Sequence, residues 1–165
     1  MPRVAGINLV AWIVGAIVIY FIGFIIYGLA FSNIWSSENL RDHGVFEAYS
    51  ALSAAEQANF RVPGSFDMTT SMSLGFVISM LTSLGLCIAQ GIMKPKSIGE
   101  AMRNGFVLWI GFAVTSLAYG VVYGSFSRVN FGIDMLHTFL DYLAASAVIF
   151  LLDGKALSAK AAASA

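Results

Sequence analysis

Between Ile133 and Leu152 the chain reads IDMLHTFLDYLAASAVIFLL. That is long enough to cross a bilayer core as a helix, yet it carries Asp134, His137 and Asp141 in its first half. Residues three and four apart share a helix face, so all three project together with the imidazole between two carboxylates. If Asp134 sits at the outer boundary, Asp141 lies about 10 Å deeper. An unpaired charge there costs at least about 2.5–3.5 kcal/mol. This face is therefore expected to turn toward protein or water, and the segment to be a span, the last of four.

Upstream, Val4 to Ser37 contains no Asp, Glu, Lys, Arg or His, and Met68 to Met93 and Asn104 to Ser127 are equally free of charge. Each exceeds the roughly 20 apolar residues that a crossing needs. In hydrocarbon every backbone group must bond within its own segment, so these are expected to be helices. The spans are placed at about 6–31, 71–93, 104–124 and 132–152. The whole chain agrees: of 165 residues 58% are hydrophobic and 11% charged, and the mean hydropathy is +0.80. A soluble enzyme is excluded on that composition. Nine basic residues balance nine acidic ones, so no field exists to attract nucleic acid. Cys87 is the lone cysteine and is expected to act as a small hydrophobe.

Gly28-Leu29-Ala30 has the small-x-small form of a signal-peptidase site, but the apolar run before it is far longer than a signal h-region of about 7–15 residues. A retained first span is expected. With both termini cytoplasmic, the inner segments hold Arg3, Lys94, Lys96, Arg103, Lys155 and Lys160, and the outer ones Arg41, Arg61 and Arg128. The outer segment 32–70 carries a capping box at Ser53–Glu56. Its Leu40, Val45, Phe46, Tyr49 and Leu52 predict short helices closed by Pro63-Gly64, a cap on the membrane surface. A second box at Ser97–Glu100 follows Pro95 and predicts a tight inner turn. The Ala/Ser-rich residues 155–165 are expected to be a flexible cytoplasmic tail after a transmembrane domain of residues 1–154.

Span two carries small residues four apart: Ser71, Gly75, Ser79, Ser83, Cys87 and Gly91. Steps of four drift about 40° each, so the row winds around its helix by about 200° and suits a right-handed crossing. Ser116, Gly120 and Gly124 in span three and Ala11 with Gly15 in span one are its counterparts. Two uses fit the row: packing within one bundle, or a seam to a second copy or a larger membrane complex. Trp12 and Trp109 are placed near the inner boundary and Trp35 near the outer, at headgroup level.

Tyr20, Tyr27, Ser79, Tyr119 and Tyr123 are the expected neighbours of the polar cluster. The three cluster residues titrate as a coupled unit. They serve as a buried hydrogen-bond cluster that fixes register, as a proton or solute path, or as part of a metal site. The metal alternative needs His43 and Glu47 of the cap to converge on His137 with the two aspartates. No nucleophile–base pair, phosphate loop or cysteine metal pattern is present, so no catalytic residue and no cofactor is expected.

Asn8 to Gly28 with its Tyr27-Gly28 ending, Trp35 beyond it, and Gly105-Phe106-Val107-Leu108-Trp109-Ile110-Gly111-Phe112 opening span three resemble an uncharacterised family of small bacterial four-helix membrane proteins, a domain of unknown function. The resemblance covers nearly the whole chain. It implies a bacterial inner-membrane protein of four helices and brings no activity or functional residues. The expected fold is thus all-α, an integral membrane four-helix bundle with a short-helical extracytoplasmic cap between helices 1 and 2. The expected role is non-enzymatic: an accessory, assembly or interaction subunit in contact with the lipid bilayer. The alternative is a small transporter or proton-coupled solute protein using Asp134, His137 and Asp141.

Overall fold

The computed structural model describes residues 2–124 and 127–163, with side chains described as far as residue 153. Two short antiparallel strands come first, β1 (Arg3–Val4) and β2 (Ile7–Asn8). They turn on Ala5 and Gly6 at φ 49° and 83°, and positive φ at both central residues makes the two-residue hairpin turn. Asn8 then starts the first long helix: its Oδ1 accepts from the Val10 and Ala11 amides at 3.1 and 3.3 Å, donors that a helix's first turn cannot satisfy itself. Helix α1 (Leu9–Gly23) continues into a π-helical segment, Phe24–Ala30. The first span, expected from residue 6, begins at Leu9 because the hairpin takes the residues before it.

The connector holds α2 (Ser32–Asp42), α3 (Phe46–Ser50) and α4 (Ala54–Gln57). Gly44, at φ 68°, breaks α2 from α3. The Glu56 carboxylate accepts from the Ser53 amide and hydroxyl at 2.9 and 2.6 Å, which holds it below the usual carboxylate range. Helix α5 (Met68–Met93) is capped by Asp67, which accepts from the Thr70 amide at 3.1 Å. It ends at Lys94, in the left-handed region at φ 48°. Helix α6 (Ile98–Leu108) opens with the Glu100 amide donating to Ser97 Oγ at 3.1 Å. The Glu100 carboxylate reaches the Lys96 amide at 2.7 Å, one residue short of the reciprocal bond expected at Ser97.

A second π-helical segment, Trp109–Val114, joins α6 to α7 (Thr115–Tyr123), and α8 runs Arg128–Ala163. Its backbone passes the boundary expected at 154 without interruption; the side chains of the expected tail lie outside the described residues. Four helices are long and apolar enough to cross a membrane: Leu9–Ala30, Met68–Met93, Ile98–Tyr123 and Arg128–Asp153. The protein is an all-α membrane protein. Trp109, expected near the inner boundary, stands midway along the third of these because that helix begins at Ile98 rather than at residue 104.

Helix α1 packs against both α5 and α8, and α6 packs against an adjoining face of α8. Ala11, Ile19, Leu86, Cys87, Ala145 and Ile149 form the buried core. Two hydrogen bonds cross between α1 and α5: Trp12 Nε1 donates to Met80 O at 2.7 Å, and Ser83 Oγ donates to Trp12 O at 2.7 Å. The indole N–H expected at headgroup level is spent inside the protein. A Cβ added at Gly15 would collide with Ser83 Oγ, and one at Gly105 would meet Tyr142 O at 2.6 Å and Ser146 Oγ at 2.5 Å. These glycines set how closely α1 approaches α5 and α6 approaches α8.

The small row of α5 is only partly used. Ser79, Ser83 and Cys87 are buried, but Ser71 and Gly91 are exposed. The buried face runs Ser79, Ser83, Leu86, Cys87, Gln90, mixing steps of three with steps of four. It follows the face of a straight helix at 3.6 residues per turn rather than the winding row.

Candidate functional site

Asp134, His137 and Asp141 share one face of α8, and the π-helical end of the first span supplies their partner. Tyr27 Oη donates to Asp134 Oδ1 at 2.6 Å and lies 3.1 Å from His137 Nδ1. The rings of Tyr27 and His137 meet edge to face with centroids 4.8 Å apart. Since the phenol has one proton and gives it to Asp134, the Nδ1 contact requires His137 to donate, which fixes N–H at Nδ1. Nε2 then faces Asp141 Oδ2 at 3.1 Å, without the alignment of a hydrogen bond. Two bare acceptors at that distance repel, so one further proton belongs to the His137–Asp141 pair, on either atom.

Burial increases along this series. Asp134 is partly exposed, the His137 side chain is 18% exposed, and Asp141 is 3% exposed with no donor to its Oδ1 among the described residues. An added Cβ at Gly23 would come 3.0 Å from His137 Nε2. The absence of a side chain at Gly23 gives the Nε2 edge of the imidazole room against α1, and an added Cβ would require the ring to shift by a few tenths of an ångström. On the adjoining face of α8, Trp109 Nε1 donates to Thr138 Oγ1 at 3.1 Å, and Thr138 bonds back to Asp134 O at 2.8 Å. Both π-helical segments therefore put an aromatic side chain against the polar stretch of α8. Extra residues in a helical turn re-aim side chains in this way and recur at functional sites.

At its partly exposed end the series opens on a cavity of about 390 Å³ lined by α2, α7 and the start of α8, with Asp134 in its wall. Helix α2 is pinned over it. Asp42 accepts from the Ser127 amide at 2.8 Å and from Asn130 Nδ2 at 2.9 Å, and Glu38 accepts from Ser127 Oγ at 2.6 Å.

A family model spans these elements from α1 to the buried half of α8. The chain belongs to the family described as Protein of unknown function (DUF1761). The match covers residues 10–150 and so includes Tyr27, Asp134, His137 and Asp141. No curated protein and no solved structure matches the chain.

Of the neighbours expected from sequence, the structure brings Tyr27 to the cluster and sends the others elsewhere. Tyr20 packs edge-on to Phe76 at 5.5 Å. Ser79 donates to Gly75 O within its own helix at 2.9 Å. Tyr119 and Tyr123 stack on each other at 5.5 Å and are 65% and 80% exposed, because α7 turns that face away from α8. His43 and Glu47 do not join His137. Gly44 ends the helix between them, His43 Nδ1 bonds Asn39 O at 2.8 Å, and Glu47 is exposed. Among the described residues no group of three or more His, Cys, Asp or Glu is placed to hold a metal.

Sequence reasoning missed Gly23, Thr138, Glu38, Asp42, Ser127 and Asn130. Thr138 adjoins His137 on α8 and was within reach of helical spacing. The α2 contacts join residues more than eighty positions apart and leave no periodic signal.

Proposed function

We propose that the protein is a small proton-coupled solute protein in which Asp134, Tyr27, His137 and Asp141 pass protons between a cavity and the membrane interior. The observation that carries this is the run of contacts from Asp134 through Tyr27 and His137 to Asp141, solvent-facing at one end and buried at the other. Its polarity suits transfer toward the cavity: His137 Nδ1 gives its proton to Tyr27 Oη as Tyr27 gives its own to Asp134. Reset requires Asp134 to release its proton to the cavity, the hydroxyl to turn back to Asp134, and the imidazole, left with its proton on Nε2, to regain one at Nδ1. A purely structural cluster has no need of a buried acceptor left without a donor, since such a group costs about 1–3 kcal/mol. Asp141 Oδ1 is one.

The distribution of Lys and Arg supports a topology with both termini cytoplasmic and the connector as an extracytoplasmic cap; a bacterial inner membrane is the setting that the sequence resemblance implies. The four long helices then form the bundle, and the cavity faces outward beneath the cap.

The test is proton counting. Purified protein in weakly buffered detergent is given a pH jump, and proton uptake is followed with an indicator dye. The expected outcome is that Asp141→Asn, which keeps the shape, takes up fewer protons than the wild type. Tyr27→Phe is expected to take up the same number more slowly, because it removes the relay and not the acceptor. Equal uptake and equal rates in all three proteins would leave only a structural cluster.

An assembly role is the second reading, favoured by a groove between α5 and the junction of α6 with the second π-helical segment. It has a volume of about 580 Å³ and is lined by apolar residues including Leu81, Gly85, Ile88 and Phe112. Cross-linking of the protein in native membranes tests it: adducts through this groove support an assembly role and their absence opposes it.

A further inference from the structure

We infer that α2 is a latch on the proton relay: docked on the start of α8 it braces Tyr27 through Trp35, and a negative charge on Asp134 loosens it. This assigns a regulation to the proposed proton-coupled site. It rests on that reading for its consequence, though not for the latch itself.

Helix α2 has little to lose by undocking. None of its residues is buried, and it stands between two breaks in the helical chain, Phe31 at φ −122° and ψ 15° and Gly44 at φ 68°. Three hydrogen bonds tie it to the start of α8: those from the Ser127 amide and Asn130 Nδ2 to Asp42, and that from Ser127 Oγ to Glu38. An element held by polar contacts with little buried apolar surface belongs to the low-stability end of a fold, from which moving parts are drawn.

The two acids of the latch differ in charge balance. Glu38 is paired with Arg41 at 2.6 Å. Asp42 has neutral donors and the partly positive N-terminus of α8. Asp42 and Asp134 line one cavity, close enough for the charge of the first to act on the second, and like charges repel. Ionised Asp134 therefore pushes against the latch, and protonated Asp134 does not. The other titratable groups around these carboxylates are Tyr27 from the π-helical segment, His137 from α8 and His43 at the end of α2. The residues that α7 gives to the cavity do not titrate. Arg128 follows Ser127 but is exposed and makes no ion pair among the described residues.

Trp35 carries the state of α2 to the relay. Its ring lies against that of Tyr27 with centroids 5.3 Å apart, and Tyr27 contacts both Asp134 and His137. Once Asp134 has released its proton to the cavity, the loosened helix takes the brace from Tyr27, so each release imposes a pause before the next transfer. By linkage, docking of α2 and the proton on Asp134 favour one another to the same extent.

The Ser127 amide reads the latch directly, because its hydrogen bond ends on Asp42 Oδ1. Its solvent exchange is measured by NMR on the full chain in detergent at neutral pH. Asp134→Asn keeps an acceptor for Tyr27 and removes the charge; it is expected to slow that exchange at least about threefold. Loss of a nearby negative charge by itself speeds base-catalysed exchange, so the direction of the change separates the latch from a bystander effect. In an Asp42→Asn background the same Asp134→Asn change is expected to bring no slowing, since the partner charge is gone. Equal or faster exchange in Asp134→Asn, or equal slowing without the charge of Asp42, overturns the inference.

The brace is tested through the rate of proton uptake after a pH jump. Trp35→Leu is expected to slow uptake about threefold at an unchanged number of protons, and Trp35→Phe to restore most of the rate. Uptake at the wild-type rate in Trp35→Leu overturns the brace. Uptake that ignores Tyr27 and Asp141, with Ser127 exchange still answering to Asp134, sinks the relay alone. A Tyr27-dependent rate with a Ser127 amide indifferent to Asp134 sinks the latch alone.

Discussion

Ser83 and Gly15 show how one atom sets the distance between two membrane helices. The hydroxyl donates to Trp12 O and occupies the space that a Cβ at Gly15 would need. Gly15→Ala is therefore expected to destabilise the protein by about 1–3 kcal/mol through overpacking. Ser83→Ala alone is expected to cost about 0.6 kcal/mol, the usual worth of an interhelical hydrogen bond in a membrane. Because the obstructing atom is the hydroxyl itself, the double variant should recover most of the Gly15→Ala loss. Unfolding titrations in mixed detergent measure all three, and simple addition of the two losses would contradict the contact. Both residues were visible in the sequence as members of small-residue rows. That they meet each other was not, because spacing gives the face of a helix and not its partner.

At the scale of an element, the start of α5 carries an acid-sensitive cap. The Thr70 hydroxyl and amide donate to Asp67 at 2.6 and 3.1 Å, and these bonds hold the carboxyl below its ordinary range. A carboxyl lowered in the folded state stabilises above its unfolded value, and the contribution is lost as pH falls through the folded one. The Thr70 amide resonance is expected to move only as pH drops below the usual carboxylate range, and to stay still in Asp67→Asn. Movement at or above that range would contradict the cap.

Charge-free stretches reveal the long helices, and the capping boxes reveal the turns between them. The hairpin at Arg3–Asn8 escapes because two-residue strands have no periodicity to detect. The two π-helical segments escape because a wide turn has no composition of its own. That loss matters for the site, since the first segment carries Tyr27 and the second carries Trp109.

For the molecule as a whole, the spacing of Asp134, His137 and Asp141 locates the polar face from sequence alone, whereas its partner depends on how four helices associate. Tyr20, Tyr27, Tyr119 and Tyr123 are equivalent as sequence; packing brings Tyr27 to the cluster and leaves Tyr119 and Tyr123 facing outward. The cavity is a property of the assembled chain in the same sense, because α2, α7 and α8 contribute its walls and the Asp42 contacts tie α2 to the start of α8.

The account turns on where protons sit on one imidazole. The chain contains two histidines, so nitrogen NMR of ¹⁵N-histidine-labelled His43→Gln protein in bilayers reports His137 alone. The expected spectrum has Nδ1 protonated throughout the titration, with Nε2 changing state at a pH that shifts in Asp141→Asn. A bare Nδ1, or a titration indifferent to Asp141, would contradict it.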